Sequence, residues 1–158
     1  MDTFAHGLWT YAITRTPKKR IAWFWPVFFS VSPDLFWFIP VGIMIVASRT
    51  GLSTYAGDGL FIGLYNISHS LVVWALATLT LSAILRRWFW PTWGWALHII
   101  IDIVGHQYTL TPFLWPLSSM KVHAAWDWLN VPWLIGNYVA LAAVFLILRR
   151  RRRLTHLP

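Results

Sequence analysis

Long apolar runs separated by short polar or basic segments organise this chain. Residues 21–47, 66–85, 92–107 and 131–148 are predominantly apolar. A helix rises ~1.5 Å per residue, so about 20 such residues cross the ~30 Å hydrocarbon core of a bilayer. The pattern predicts an all-α integral membrane protein with about four spans. Residues 3–14 are also apolar but too few to cross, and they predict a short N-terminal re-entrant or interfacial helix. One transmembrane domain over 1–148 and a basic tail over 149–158 account for the whole sequence.

Polar positions inside the runs change this picture. Ser30, Ser32, Pro33 and Asp34 interrupt the first. Ser32 can cap a new helix with Pro33 at its first position, which predicts a broken first span. A break of that kind is tolerated in a membrane only where it is buried in protein or lines a polar cavity. Residues 49–65 read as a loop. The second span opens on Asn66, Ser68, His69 and Ser70. The third carries His98, Asp102 and His106 at steps of four residues, which form one narrow polar stripe on a greasy helix. Residues 108–130 form the longest loop, with a surface helix expected around 119–128. His123 and Asp127 share the i, i+4 spacing there, but a solvated helix accounts for them.

Composition supports the membrane reading. Only 11% of residues are charged, where a soluble domain has about a quarter. All five acids are aspartates, and two of them, Asp34 and Asp102, fall inside apolar runs. The absence of cysteine excludes disulfides, thiolate metal sites and cysteine nucleophiles. The 13 tryptophans suit belts at the two interfaces. Arg15, Lys18, Lys19, Arg20, Arg86, Arg87 and the five arginines of 149–153 lie on one side of the predicted spans, and only Arg49 and Lys121 on the other. This asymmetry predicts that both termini are cytoplasmic in a bacterial inner membrane. The arginines of the tail are a topology signal and a partner for anionic lipid rather than for nucleic acid. The opening residues lack a basic region before an apolar run, so the first apolar segment is expected to be retained.

Depth then draws the polar residues together. Measured from Arg87, His98, Asp102 and His106 lie at ~16, ~22 and ~28 Å. His69 lies ~26 Å from Arg86, Asp34 up to ~20 Å beyond Arg20, and His6 ~14 Å from Arg15. All six fall between the middle of the membrane and its outer edge. An ionised Asp in hydrocarbon costs at least ~2.5–3.5 kcal/mol, so two of them need partners. A divalent cation satisfies both and keeps the imidazoles neutral. Four His and two Asp without Cys suit zinc first, then manganese or iron. Asp34 or Asp102, if not bound to the metal, can serve as general base.

Five motifs occur in order: Met1 to Trp9 with Asp2 and His6, Ser32-Pro33-Asp34-Leu35, Ser68-His69-Ser70-Leu71, Leu97-His98 with Asp102 and His106, and Thr111-Pro112-Phe113-Leu114-Trp115-Pro116-Leu117-Ser118. Together they resemble the bacterial family of LexA-binding, inner-membrane-associated hydrolases, also described as predicted membrane-bound metal-dependent hydrolases. The likeness covers most of the chain up to Ser118. It implies a metal site at His6, Asp34, His69, His98, Asp102 and His106, and hydrolysis as the reaction. The family commonly has Thr before the second-span His, where this chain has Ser68. No stretch of the sequence identifies a LexA-binding surface. At that depth the substrate would be amphiphilic, such as a lipid ester or phosphoester, with the 111–118 loop over the opening. Two other readings stay open: a proton- or metal-coupled transporter, since intramembrane His/Asp chains and broken helices are also its signature, and a non-catalytic assembly protein whose polar stripe glues spans together.

Overall fold

The computed structural model describes residues 1–15, 23–49, 58–108, 110–124, 127 and 129–154. Among these the chain is all-helical: α1 (Thr3–Thr14), α2 (Phe24–Arg49), α3 (Asp58–Ser68), α4 (Leu71–Ile84), α5 (Trp93–Gly105) and α6 (Val131–Leu154), with a 3₁₀ turn at Trp90–Thr92. Helix α2 is the centre of the assembly and packs against α1, α3 and α5, while α6 lies against α1.

The distribution of side chains is the reverse of a water-soluble domain. His6, Thr10, Ser30, His69, Ser70 and His98 have no exposed surface. Phe36, Ile39, Ile43 and Val46 on α2, and Val139, Leu146 and Ile147 on α6, are about half exposed or more. In water such apolar surfaces would be costly, whereas in hydrocarbon they need no partner. Helices α2 and α6 are long and apolar enough to cross a membrane, and α3 and α4 together make a third candidate bent by 59°. Helix α5 has 13 residues and so is ~20 Å long, short of a full crossing. Among the described residues two to three candidate spans meet the length and composition of a crossing, and the expected count of four is not confirmed.

Helix α1 has the limits its sequence predicts. Asp2 caps it, its carboxylate accepting the Ala5 N–H at 3.0 Å. Helix α2 differs from expectation. It runs without a break from Phe24 to Arg49 through Pro33 and Pro40. Proline at 33 cannot donate to the Phe29 carbonyl one turn earlier. The Ser32 hydroxyl donates to that oxygen instead, at 3.2 Å, so the residue expected to start a new helix repairs the existing one.

The break falls in the second apolar segment. The expected span at 66–85 is a bent pair, and helix already begins at Asp58, inside the expected loop of 49–65; residues 50–57 lie outside the described set. Ser70 accounts for the position of the break. It is extended, and its hydroxyl accepts from the Val72 and Val73 N–H groups to start α4. The 111–118 loop closes over this point: Leu71 N–H donates to the Phe113 carbonyl at 2.9 Å and the Ser70 hydroxyl to the Trp115 carbonyl.

Helices α2 and α5 touch at Gly94. A Cβ there would lie 2.0 Å from the Pro26 carbonyl oxygen and 3.1 Å from the Ser30 nitrogen. Only a hydrogen side chain lets the backbones meet. The surface helix expected around 119–128 is not formed over Ser119–Ala124; Ala125, Trp126 and Trp128 are outside the described residues. His123 is exposed. Asp127 instead clamps the end of α5, accepting the Gln107, Tyr108 and Leu129 N–H groups at 3.0–3.4 Å. Desolvation raises its pKa, but those three donors and nearby His106 outweigh it and hold the carboxyl below its ordinary value.

Candidate metal centre

Asp34 from α2, His69 from the α3–α4 break, and His98 and Asp102 from α5 converge into one buried cluster. The i, i+4 spacing of His98 and Asp102 puts both on the α5 face that meets α2. Gly94, one turn before His98, lets that face come close enough for the His98 Nδ1–H to reach the Ser30 carbonyl at 2.7 Å. The break after Ser68 turns the His69 ring inward, where it stacks on Tyr65 with centroids 4.0 Å apart. Its Nδ1 lies 3.2 Å from the Tyr65 carbonyl and 2.8 Å from the Ser68 hydroxyl.

These contacts decide what the cluster offers. A carbonyl oxygen only accepts, so Nδ1 carries the proton in His98, and His69 takes the same tautomer when it donates to the Tyr65 carbonyl, the Ser68 hydroxyl beside it being able to donate or accept. In the neutral imidazoles each Nε2 is then left with a lone pair. The two Nε2 atoms face one another at 3.2 Å. Asp102 Oδ2 lies 3.1 Å from His98 Nε2 and 3.5 Å from His69 Nε2, and Asp34 Oδ1 lies 3.6 Å from each. Asp102 Oδ2 is buried and accepts no hydrogen bond from the described residues. Two imidazole nitrogens and two carboxylate oxygens thus point at one spot.

A cation fits that spot. A tetrahedral ion with ligands at ~2.0–2.1 Å has ligand–ligand edges of about 3.3 Å. The five distances above run from 3.1 to 3.6 Å and bracket this value. Both histidines also have the outer carbonyl partner that metal-bound imidazoles usually have. The buried group of Asp34, His69, His98 and Asp102 could therefore hold a metal ion.

His6 and His106 sit on the far side of Asp102. His6 Nε2 is 2.9 Å and His106 Nε2 3.1 Å from Asp102 Oδ1. The His6 ring stacks on His98 at 3.8 Å, and its Nδ1 is buried without a hydrogen-bond partner among the described residues. The Met1 nitrogen lies 2.9 Å from Asp102 Oδ1 and 2.8 Å from His106 Nε2. The structure thus brings all six sequence-predicted residues together, four around one point and two behind it.

The sequence reading misses the parts around them. Ser30 acts through a backbone carbonyl, which any residue could supply, so its identity gave no signal. Gly94 could have been found: a glycine one turn before a helix-borne histidine marks a face that must come close to another backbone. A cavity of about 250 Å³ lies among α2, α3 and α5, walled by Phe29, Pro33, Phe36, Ile67 and Trp95 with Ser32 and Ser68. Pro33 and Ser68 are the chain neighbours of Asp34 and His69.

Fold and site together define an all-helical protein of membrane type with a buried His/Asp cluster suited to a metal. Protein-family models, curated proteins and solved structures provide no match to this chain.

Proposed function

We propose that this protein is a membrane-embedded, metal-dependent hydrolase acting on an amphiphilic ester or phosphoester. The observation that carries the proposal is the convergence of two imidazole nitrogens and two carboxylate oxygens, five of whose separations match the edge lengths of a tetrahedral metal. His69, His98 and Asp102 would hold the ion, zinc first by donor chemistry. Bound there, the ion supplies Lewis acidity and activates water near neutral pH. Asp34 has the role of general base. It is the most exposed of the four side chains, at 10% against 0–1%, and its oxygen makes the longest contacts with the histidines. That places a proton acceptor at the accessible side of the cluster.

The apolar cavity walled by Pro33 and Ser68, the chain neighbours of Asp34 and His69, supports the substrate class, since it can take a hydrocarbon chain. The five ordered motifs of the membrane-bound hydrolase family support the reaction. The basic asymmetry supports an inner-membrane protein with cytoplasmic termini and anionic lipid at Arg149 to Arg153. The helix break at His69 is also a transporter feature.

Elemental analysis of the purified protein, with assays against lipid and ester substrates, tests the proposal. About one divalent ion per chain is expected in wild type and none in His98→Ala or Asp102→Ala, with hydrolysis lost in both. Wild type without stoichiometric metal would sink it. Metal without hydrolysis, but with ion movement across vesicles, would move the assignment to transport.

A further inference from the structure

Helix α1 contributes a polar stripe of its own. Thr3, His6 and Thr10 are spaced i, i+3 and i+7, so they share one face. Each bonds to the site from outside the group of four. Thr3 Oγ1 donates to Asp34 Oδ2 at 2.6 Å, and His6 Nε2 faces Asp102 Oδ1 at 2.9 Å. Thr10 Oγ1 donates to the Ser30 hydroxyl at 2.7 Å, which donates in turn to the His6 carbonyl at 3.1 Å. Ser30 is also the residue whose carbonyl orients His98.

The pattern is complementary at the level of single oxygens. The atoms that face the histidine pair are Asp34 Oδ1 and Asp102 Oδ2. The atoms that α1 bonds are the other two, Asp34 Oδ2 and Asp102 Oδ1, the second shared with His106 Nε2 and the Met1 nitrogen. His6 also lacks the mark of a ligand seen in His69 and His98. Their Nδ1 atoms sit on carbonyls, whereas His6 Nδ1 is buried with no partner among the described residues. Its Nε2 is better used as a donor to Asp102.

We infer that Thr3 and His6 are positioning residues: each occupies one oxygen of a site carboxylate, so that Asp102 presents only Oδ2 to the ion and Asp34 keeps Oδ1 beside it as the base instead of turning onto the metal. A carboxylate left free can give both oxygens to a metal, which raises the coordination number and fills positions a substrate needs. The α1 face would thus keep the coordination low. This inference rests on the metal reading above.

Cobalt(II) titration of the full-length protein in detergent, after chelation, tests it. Wild type should take up about one equivalent with the intense visible bands of four-coordinate cobalt. Thr3→Val and His6→Ala should each still bind cobalt, with affinity lower by about 10- to 100-fold, and with weaker bands from a higher coordination number. Thr3→Ser should restore both affinity and spectrum. His98→Ala, a ligand variant, should not bind at all. If His6→Ala loses the ion as completely as His98→Ala, His6 is a ligand and the inference is overturned. It is equally overturned if Thr3→Val and His6→Ala match wild type. Should His6→Ala not fold, the Thr3→Val and Thr3→Ser pair decides the matter alone. A wild type that takes up no cobalt overturns the metal reading itself, a result distinct from the other two.

Discussion

Asp34 and Asp102 are the same residue type a few ångströms apart, and their surroundings give them different work. Asp102 is almost fully enclosed: His6 and His106 face one oxygen, His69 and His98 the other. Asp34 has one oxygen on the Thr3 hydroxyl and the other 3.6 Å from both histidines, with some surface open. Neutralising each should therefore have a different effect. Asp34→Asn keeps the shape and the Thr3 contact, so metal content should persist while hydrolysis falls by about 10²- to 10⁴-fold, as for loss of a general base. Asp102→Asn should lose the metal outright. Metal analysis and turnover measured on the same preparations separate the two. Equal metal loss in both variants would make Asp34 an obligate ligand and remove it from the base role.

At the level of elements, the contact of α2 with α5 sets the geometry of the site. Gly94→Ala would push a methyl group into the Pro26 carbonyl, against backbone that cannot rotate away. The helices must separate, at a cost of about 1–3 kcal/mol, as for other overpacked interfaces. The His98 contact with the Ser30 carbonyl lies one turn further along the same face and should be lost with it. Thermal unfolding should show the stability loss, and cobalt binding should weaken although no ligand has changed. Unaltered binding would mean that α5 does not need this close approach to aim His98. The helices themselves were largely readable in the sequence. Helix α1 was, because residues 3–14 form an apolar run too short to cross; the stripe on α5 was, because steps of four residues mark one face of any helix. The break was misplaced because Ser32-Pro33 and His69-Ser70 offer similar local signals. In the first, the serine hydroxyl mends the carbonyl that proline orphans; in the second, Ser70 caps the next helix and the 111–118 loop ties it down. Which outcome occurs depends on tertiary partners that no local pattern contains. The Ser30 carbonyl and the pairing of α1 with the outward carboxylate oxygens were invisible for the same reason.

For the whole molecule, the cluster joins parts of the chain that are far apart in sequence: α2, the α3–α4 break and α5. Much of what lies inside is polar, and exposed apolar side chains line α2 and α6, so burial of large hydrophobic groups supplies less cohesion than in a soluble domain. Without a cation, lone pairs and carboxylates face one another at 3.1–3.6 Å, and the repulsion falls on the contact that holds these elements together. Metal binding should therefore act as a structural link as well as a chemical one. An ion that binds only the folded form stabilises it by about 2.7 kcal/mol at a free concentration of 100 times Kd. Chelation should lower the thermal midpoint in detergent, and re-addition of the ion should restore it in a concentration-dependent way. His98→Ala should start at the low midpoint and respond to neither treatment. A wild-type midpoint that is the same with chelator and with excess ion would show that the cluster is held by hydrogen bonds alone, which is the behaviour expected of a non-catalytic packing network rather than of a metal centre.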